Sequence, residues 1–110
     1  MEQLEKDLLE WIAGNNDCEA LATQLAGARV TKRDYMRTGF FIFLEAPKDA
    51  APIEANTRVC CPDLEAPGLM HGAGSSLFFR GGRLHYLEIY ARGGFFPEQP
   101  ESYRLHWPAE

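Results

Sequence analysis

The stretch 75-SSLFFRGGRLHYLEIY-90 decides how this chain folds. Two apolar-rich runs, Ser75 to Arg80 and Arg83 to Tyr90, flank Gly81-Gly82. A two-residue primed turn needs positive φ at both central positions, which a glycine pair supplies without strain. The reading is a β-hairpin. Regular alternation then pairs Phe79 with Leu84 and Leu77 with Tyr86 on one face, and Phe78 with His85 and Ser76 with Leu87 on the other. Both faces carry apolar residues. One is expected to pack on helices, and the other to be partly exposed or covered by a partner or the C-terminal segment.

Outward from the hairpin, Phe40 to Leu44 is apolar at every position, so it reads as a central strand covered on both sides. Arg37-Thr38-Gly39 before it reads as a three-residue hairpin loop with Gly39 at positive φ, and residues 28–36 as a polar edge strand. Residues 45–74 are punctuated by Pro47, Pro52, Pro62 and Pro67, and a short strand is expected only near Arg58 to Cys61. Gly93-Gly94 turns the chain, and Ser102 to Trp107 reads as a last strand.

The N-terminal part has a helical period. Leu4, Leu8, Trp11 and Ile12 recur on one side, with Gln3, Lys6, Asp7 and Glu10 opposite. Gly14-Asn15-Asn16 is expected to stop this helix through a left-handed cap, and Asp17 to cap a second one. In that second helix Cys18, Leu21, Ala22 and Leu25 share the buried face, and Gly27 ends it. The whole chain reads as a single α+β domain over residues 1–110, two N-terminal helices packed on an antiparallel sheet of five to six strands.

Composition agrees: 45% hydrophobic, 25% charged and 12% aromatic residues describe a globular protein. No apolar run approaches the roughly 18 residues of a membrane helix. The N-terminus is acidic and resembles neither a secretory signal nor a transit peptide, so the expected compartment is the cytoplasm. Three cysteines, Cys18, Cys60 and Cys61, form no disulfide framework and read as free thiols. The net charge of −5 is concentrated in residues 1–27, where six acids meet only Lys6. Nucleic-acid binding is disfavoured accordingly, and Arg29, Lys32, Arg33 and Arg37 read as the solvated side of an edge strand.

The sequence assembles no catalytic set. His71-Gly72-Ala73-Gly74 looks like an oxyanion-hole turn, but the segment after it lacks the nucleophile elbow G-x-S-x-G. Cys60, Cys61, His71, His85 and His106 include no C-x-x-C or H-E-x-x-H pair, so no metal site and no cofactor are expected. Glu88 stands mid-strand between Tyr86 and Tyr90, either facing solvent or held by an arginine or a hydroxyl. It is the one weak candidate for a catalytic carboxylate, and Tyr86, Tyr90 and His106 join it as candidate binding residues. His85 is excluded as its partner, because three positions along a regular strand reverse the face. Phe95, Phe96 and Trp107 lie outside the hairpin and are placed to line a groove or an interface.

Leu25 to Val30, Thr38-Gly39-Phe40-Phe41, His71 to Gly74 and above all Gly82 to Tyr90, with Pro97-Glu98 downstream, resemble a family of small bacterial proteins of unknown function. That family carries G-x-L-x-x-L-E-x-Y before a W/F-P segment, and Phe96 here stands where Trp is expected. The resemblance spans about residues 21–98 and implies a bacterial source and an α+β fold, with no activity to carry over. Three functions remain open. The leading one is a non-catalytic protein-binding module, of the immunity or antitoxin type, with Asp7, Glu10 and Glu19 as its partner surface. The alternative is a small-molecule-binding or enzymatic domain with a pocket between helices and sheet. The third is a structural homodimer joined through the second sheet face.

Overall fold

The computed structural model describes residues 1–97, 100 and 102–108; Glu98 of the family pattern lies outside them. Among the described residues the elements run α1 (Gln3–Gly14), α2 (Glu19–Ala26), β1 (Arg29–Met36), β2 (Gly39–Glu45), β3 (Asp63–Glu65), β4 (Ala73–Arg80), β5 (Arg83–Ala91) and β6 (Arg104–His106). The six strands form one antiparallel sheet in the order β1-β2-β5-β4-β3-β6. The fold is α+β with its helices at the N-terminus, as the sequence implies.

In α1, Leu4, Leu8 and Ile12 return once per turn and all are buried, joined by Leu9. Complete burial of Leu8 and Ile12 stabilises by roughly 1.5–3 kcal/mol each. The helix ends differently from expectation. No described non-glycine residue has a positive φ; instead Asn15 Nδ2 donates to Trp11 O and Asn16 Nδ2 to Ile12 O, each at 2.8 Å. The Asn15 backbone N–H also reaches Trp11 O at 3.0 Å, so the Asn16 amide on Ile12 O and the Asn15 amide on Trp11 O close the last turn without a left-handed cap. The cap of α2 is Cys18, one residue later than Asp17, because the Cys18 N–H is still engaged by Asn16 O at 3.0 Å.

The hairpin of β4 and β5 turns at Gly81 (φ 59°) and Gly82 (φ 77°) as expected. A Cβ at Gly82 would also stand 2.7 Å from Ile53 O. Phe79 pairs with Leu84, but the register then slips, and Phe78 pairs with Tyr86, Leu77 with Leu87 and Ser76 with Glu88. His85 is therefore the extra residue of a β-bulge, and the expected Leu77–Tyr86 and Phe78–His85 pairs do not form. The reason is burial. Strict alternation would send Leu84 to the face opposite Leu87 and Ile89, whereas the bulge lets all three enter the core at 6% exposure or less.

Two further boundaries move, and one aromatic changes place. Met36 pairs with Gly39, so the β1–β2 loop is Arg37-Thr38 alone and Gly39 opens β2. The strand expected at Arg58 to Cys61 forms at Asp63–Glu65 instead. Asn16 explains the shift: its amide takes both the N–H and the carbonyl of Cys60 at 2.8 Å, so that backbone is already paired before the ladder begins. Phe96, expected at a groove, is 1% exposed and packs edge-on against Phe40 with ring centroids 5.1 Å apart.

Long-range polar ties lock the helices and the irregular segment to the hairpin. Gln24 is fully buried; its Nε2 donates to Ala51 O (2.8 Å) and Gly82 O (3.0 Å), and its Oε1 accepts the Leu84 N–H at 3.0 Å. Arg83 donates to the carbonyls of Ala46, Pro47 and Ala50. Glu5, 3% exposed, takes both arms of Arg33 at 2.6 and 2.7 Å, which fastens α1 to the edge strand β1.

Candidate functional site

The helices cover one side of the sheet, where Ile42, Leu44, Leu84, Leu87 and Ile89 are buried. Alternation sends Phe41 and Phe43 of β2, and Tyr86, Glu88 and Tyr90 of β5, to the other side. Bulging of His85 adds its ring to that side, 5.8 Å from Phe43. The strand Phe40 to Leu44 is central, as expected, but it is covered on one side only. Phe41, Phe43, Phe78 and Tyr86 all stand outside the core cluster.

Cross-strand pairing arranges this open face in rows. One row runs Lys32, Phe43, Tyr86, Phe78; the next runs Asp34, Phe41, Glu88, Ser76. Tyr86 is the centre: Phe78 stacks on it with centroids 4.5 Å apart, and Phe41 and Phe43 meet it at 5.7 and 5.6 Å. Lys32 Nζ lies 5.5 Å from the centre of the Phe43 ring, a cation–π contact at the end of the first row. In a third row Tyr90 opposes Gly74, where any Cβ would meet its ring at 2.4 Å, so the glycine lets the tyrosine lie across the sheet. Phe78 and Tyr90 keep 38% and 37% of their surface in solvent.

Tyr86, Glu88 and Tyr90 are thus together, but not in a space between helices and sheet, which the hydrophobic core fills. No described side chain hydrogen-bonds or ion-pairs with the Glu88 carboxylate, so it takes the solvent-facing alternative. The parity argument against His85 fails at the bulge, yet His85 makes ring contacts and no hydrogen bond to Glu88. The chemistry this face offers is stacking, apolar burial and a few polar contacts.

His106 is elsewhere, on β6, separated from β5 by β4 and β3. There it faces Glu65 Oε1 at 3.3 Å, while Glu65 Oε2 pairs with Arg104 at 2.5 Å. These groups, with His71, Tyr103 and the Asp63–Arg92 pair, line an open cavity of about 700 Å³ at the sheet edge. Asp63 is 4% exposed and accepts both arms of Arg92 at 2.7 and 2.8 Å, which holds the guanidinium firmly protonated.

The acidic helical surface is smaller than its sequence suggests. Glu10 and Glu19 are exposed, but Asp7 is half-buried and accepts the Tyr103 hydroxyl and a 2.8 Å bond from Gln3. Burial, with the Asp7 carboxylate adding to it, pushes the Tyr103 phenol up to about 12. Glu5 is consumed by Arg33. Burial alone would raise its pKa, but the Arg33 guanidinium and the Glu2 N–H outweigh that and hold the carboxyl below its usual value. Burial likewise pushes the Cys61 thiol up to about 11, which leaves it a poor nucleophile at neutral pH.

Phe41, Phe43 and Phe78 were not among the candidate site residues. Their signal was present, as two adjacent strands each apolar on both faces. No protein-family model matches the chain, and no curated protein or solved structure matches it either.

Proposed function

We propose that this chain is a non-catalytic protein-binding module that docks another protein surface on the open face of its sheet. The observation that carries the proposal is the continuous aromatic band of Phe41, Phe43, Phe78 and Tyr86 on that face. Protein interfaces have centres rich in aromatic residues and poor in charge, with polar groups at the rim. Here Lys32 and Asp34 stand at the ends of the aromatic rows. The immunity or antitoxin form of this reading takes a basic partner on the helical surface instead. It is favoured by exposed Glu2, Glu10, Asp17 and Glu19 against one exposed cation, Lys6.

Capture from a native lysate on immobilised protein separates the two surfaces. Phe41→Ser combined with Phe78→Ser is expected to lose the captured protein, while Glu10→Lys combined with Glu19→Lys retains it, both with the fold intact by circular dichroism. The reverse pattern would move the docking surface to the helices.

A further inference from the structure

We infer that the protein docked on the open face is a second copy of this chain; the inference rests on the binding reading above and names its partner. Two neighbouring rows of the face are complementary in order. One runs Lys32, Phe43, Tyr86 and the other Asp34, Phe41, Glu88, each across the same three strands. A two-fold axis lying between two stacked sheets, across the strands and midway between the rows, sets each row over the other row of the second copy. Lys32 then faces Asp34, Phe43 faces Phe41, and Tyr86 faces Glu88, each pair occurring twice as an isologous contact requires.

The match repairs what the single chain leaves unused. The Tyr86 hydroxyl donates to the Glu88 carboxylate, which has no side-chain partner among the described residues of its own chain. Lys32 and Asp34 already meet at 3.4 Å along β1, with 64% and 43% of their side chains exposed. Docking closes the two pairs into a ring of four alternating charges. The two aromatic layers interdigitate between sheets spaced about 10 Å apart with strands within about 30° of alignment. A patch four strands wide, about 19 Å, and about 20 Å long covers about 400 Å² on each copy, on the order of 800 Å² in total, which is the size of a weak, transient interface. The dimer is therefore concentration-dependent. A foreign protein would have to reproduce this order of cation, ring and carboxylate, whereas a second copy carries it by symmetry.

Charge exchange across the two-fold tests the arrangement. In sedimentation equilibrium from low micromolar to several hundred micromolar, the parent chain of 12.4 kDa is expected to approach twice that mass. Lys32→Glu alone, or Asp34→Lys alone, sets like charges opposite one another twice and weakens self-association by about tenfold or more. An equimolar mixture of the two variants restores it, because every facing pair in the mixed dimer is again opposite in sign. Restoration cannot come from the pair within one chain, which is broken in both variants. Lys32 is exposed and Asp34 half-exposed, and unchanged thermal midpoints in dilute solution establish that the variants fold. A parent chain monomeric at several hundred micromolar overturns the inference, as do single variants that associate like the parent or a mixture no stronger than its components. Loss of lysate capture by the Phe41 and Phe78 variants, with the parent monomeric, would leave the binding reading standing and remove only its identification of the partner.

Discussion

The two faces of the sheet are built from the same strands and have opposite chemistry. On β5, Leu84, Leu87 and Ile89 enter the core, while Tyr86, Glu88 and Tyr90 point away from it. On β2, Ile42 and Leu44 are buried and Phe41 and Phe43 are half-exposed. The covered face is mainly aliphatic, with buried Phe96 edge-on to Phe40, and its side chains close-pack beneath the two helices. The open face is aromatic, and its rings pack on one another through Tyr86. A ring with a polar tip or an accessible edge tolerates both solvent and burial, so it suits a surface that is alternately free and docked. An apolar face that the fold leaves uncovered is what the proposed binding role rests on.

Neighbouring residues of β5 test the contrast most strongly. Leu87 has no exposure, so Leu87→Ala is expected to cost about 2–5 kcal/mol in urea unfolding, loss of transfer energy and a cavity combined. Tyr86→Ala, one residue away, is expected to cost less than half as much in dilute solution. Equal losses would break the division into a covered and an open face.

Glu5 tests how the cover is fastened. Glu5→Gln leaves Arg33 without its ionic partner and is expected to cost about 1–3 kcal/mol at neutral pH, less than a fully buried pair because Arg33 is 45% exposed. The folded carboxyl lies below its ordinary 4.5, so the stability it contributes is complete above that value and is lost as pH falls through the lowered one. Urea midpoints from neutral to acidic pH should therefore fall less steeply for the variant. A parallel pair of curves would show that this contact does not secure α1.

Gly82→Val addresses the turn from which both faces take their register. Positive φ and the nearby Ile53 carbonyl predict a loss of about 1–3 kcal/mol. A neutral result would place the turn elsewhere and exchange the faces. The smallest effect is expected at Glu88, which has no side-chain partner among the described residues: Glu88→Gln should change dilute-solution stability by less than about 0.5 kcal/mol. Any larger loss would mean that Glu88 carries structural weight and that the open face is not free.

Much of the scaffold was legible because its signals are local. The helical return of Leu4, Leu8 and Ile12, the alternation along Arg83 to Tyr90 and the Gly81-Gly82 pair each act within a few residues. They lead to two helices, a primed hairpin and a polar edge strand. The residues of the open face were half legible: Tyr86, Glu88 and Tyr90 stood out as polar positions within an apolar strand. Phe41 and Phe43 did not, since an uninterrupted apolar run does not say which of its faces is covered.

The sequence by itself determined the α+β class, the N-terminal place of the helices and the turn of the central hairpin, because backbone preference and side-chain period settle these within one element. Only the tertiary structure decided the bulge at His85, the burial of Glu5 and Gln24, and the stacking of Phe41, Phe43 and Phe78 around Tyr86. Each depends on residues far apart in the chain: Glu5 meets Arg33 across 28 positions, and Gln24 meets Leu84 across 60. Nothing in the local pattern specifies such meetings. The bulge is the clearest case, since alternation alone would have divided Leu84 from Leu87 and Ile89. A single inserted residue was accepted because burying all three leucine and isoleucine side chains outweighs one disrupted ladder position.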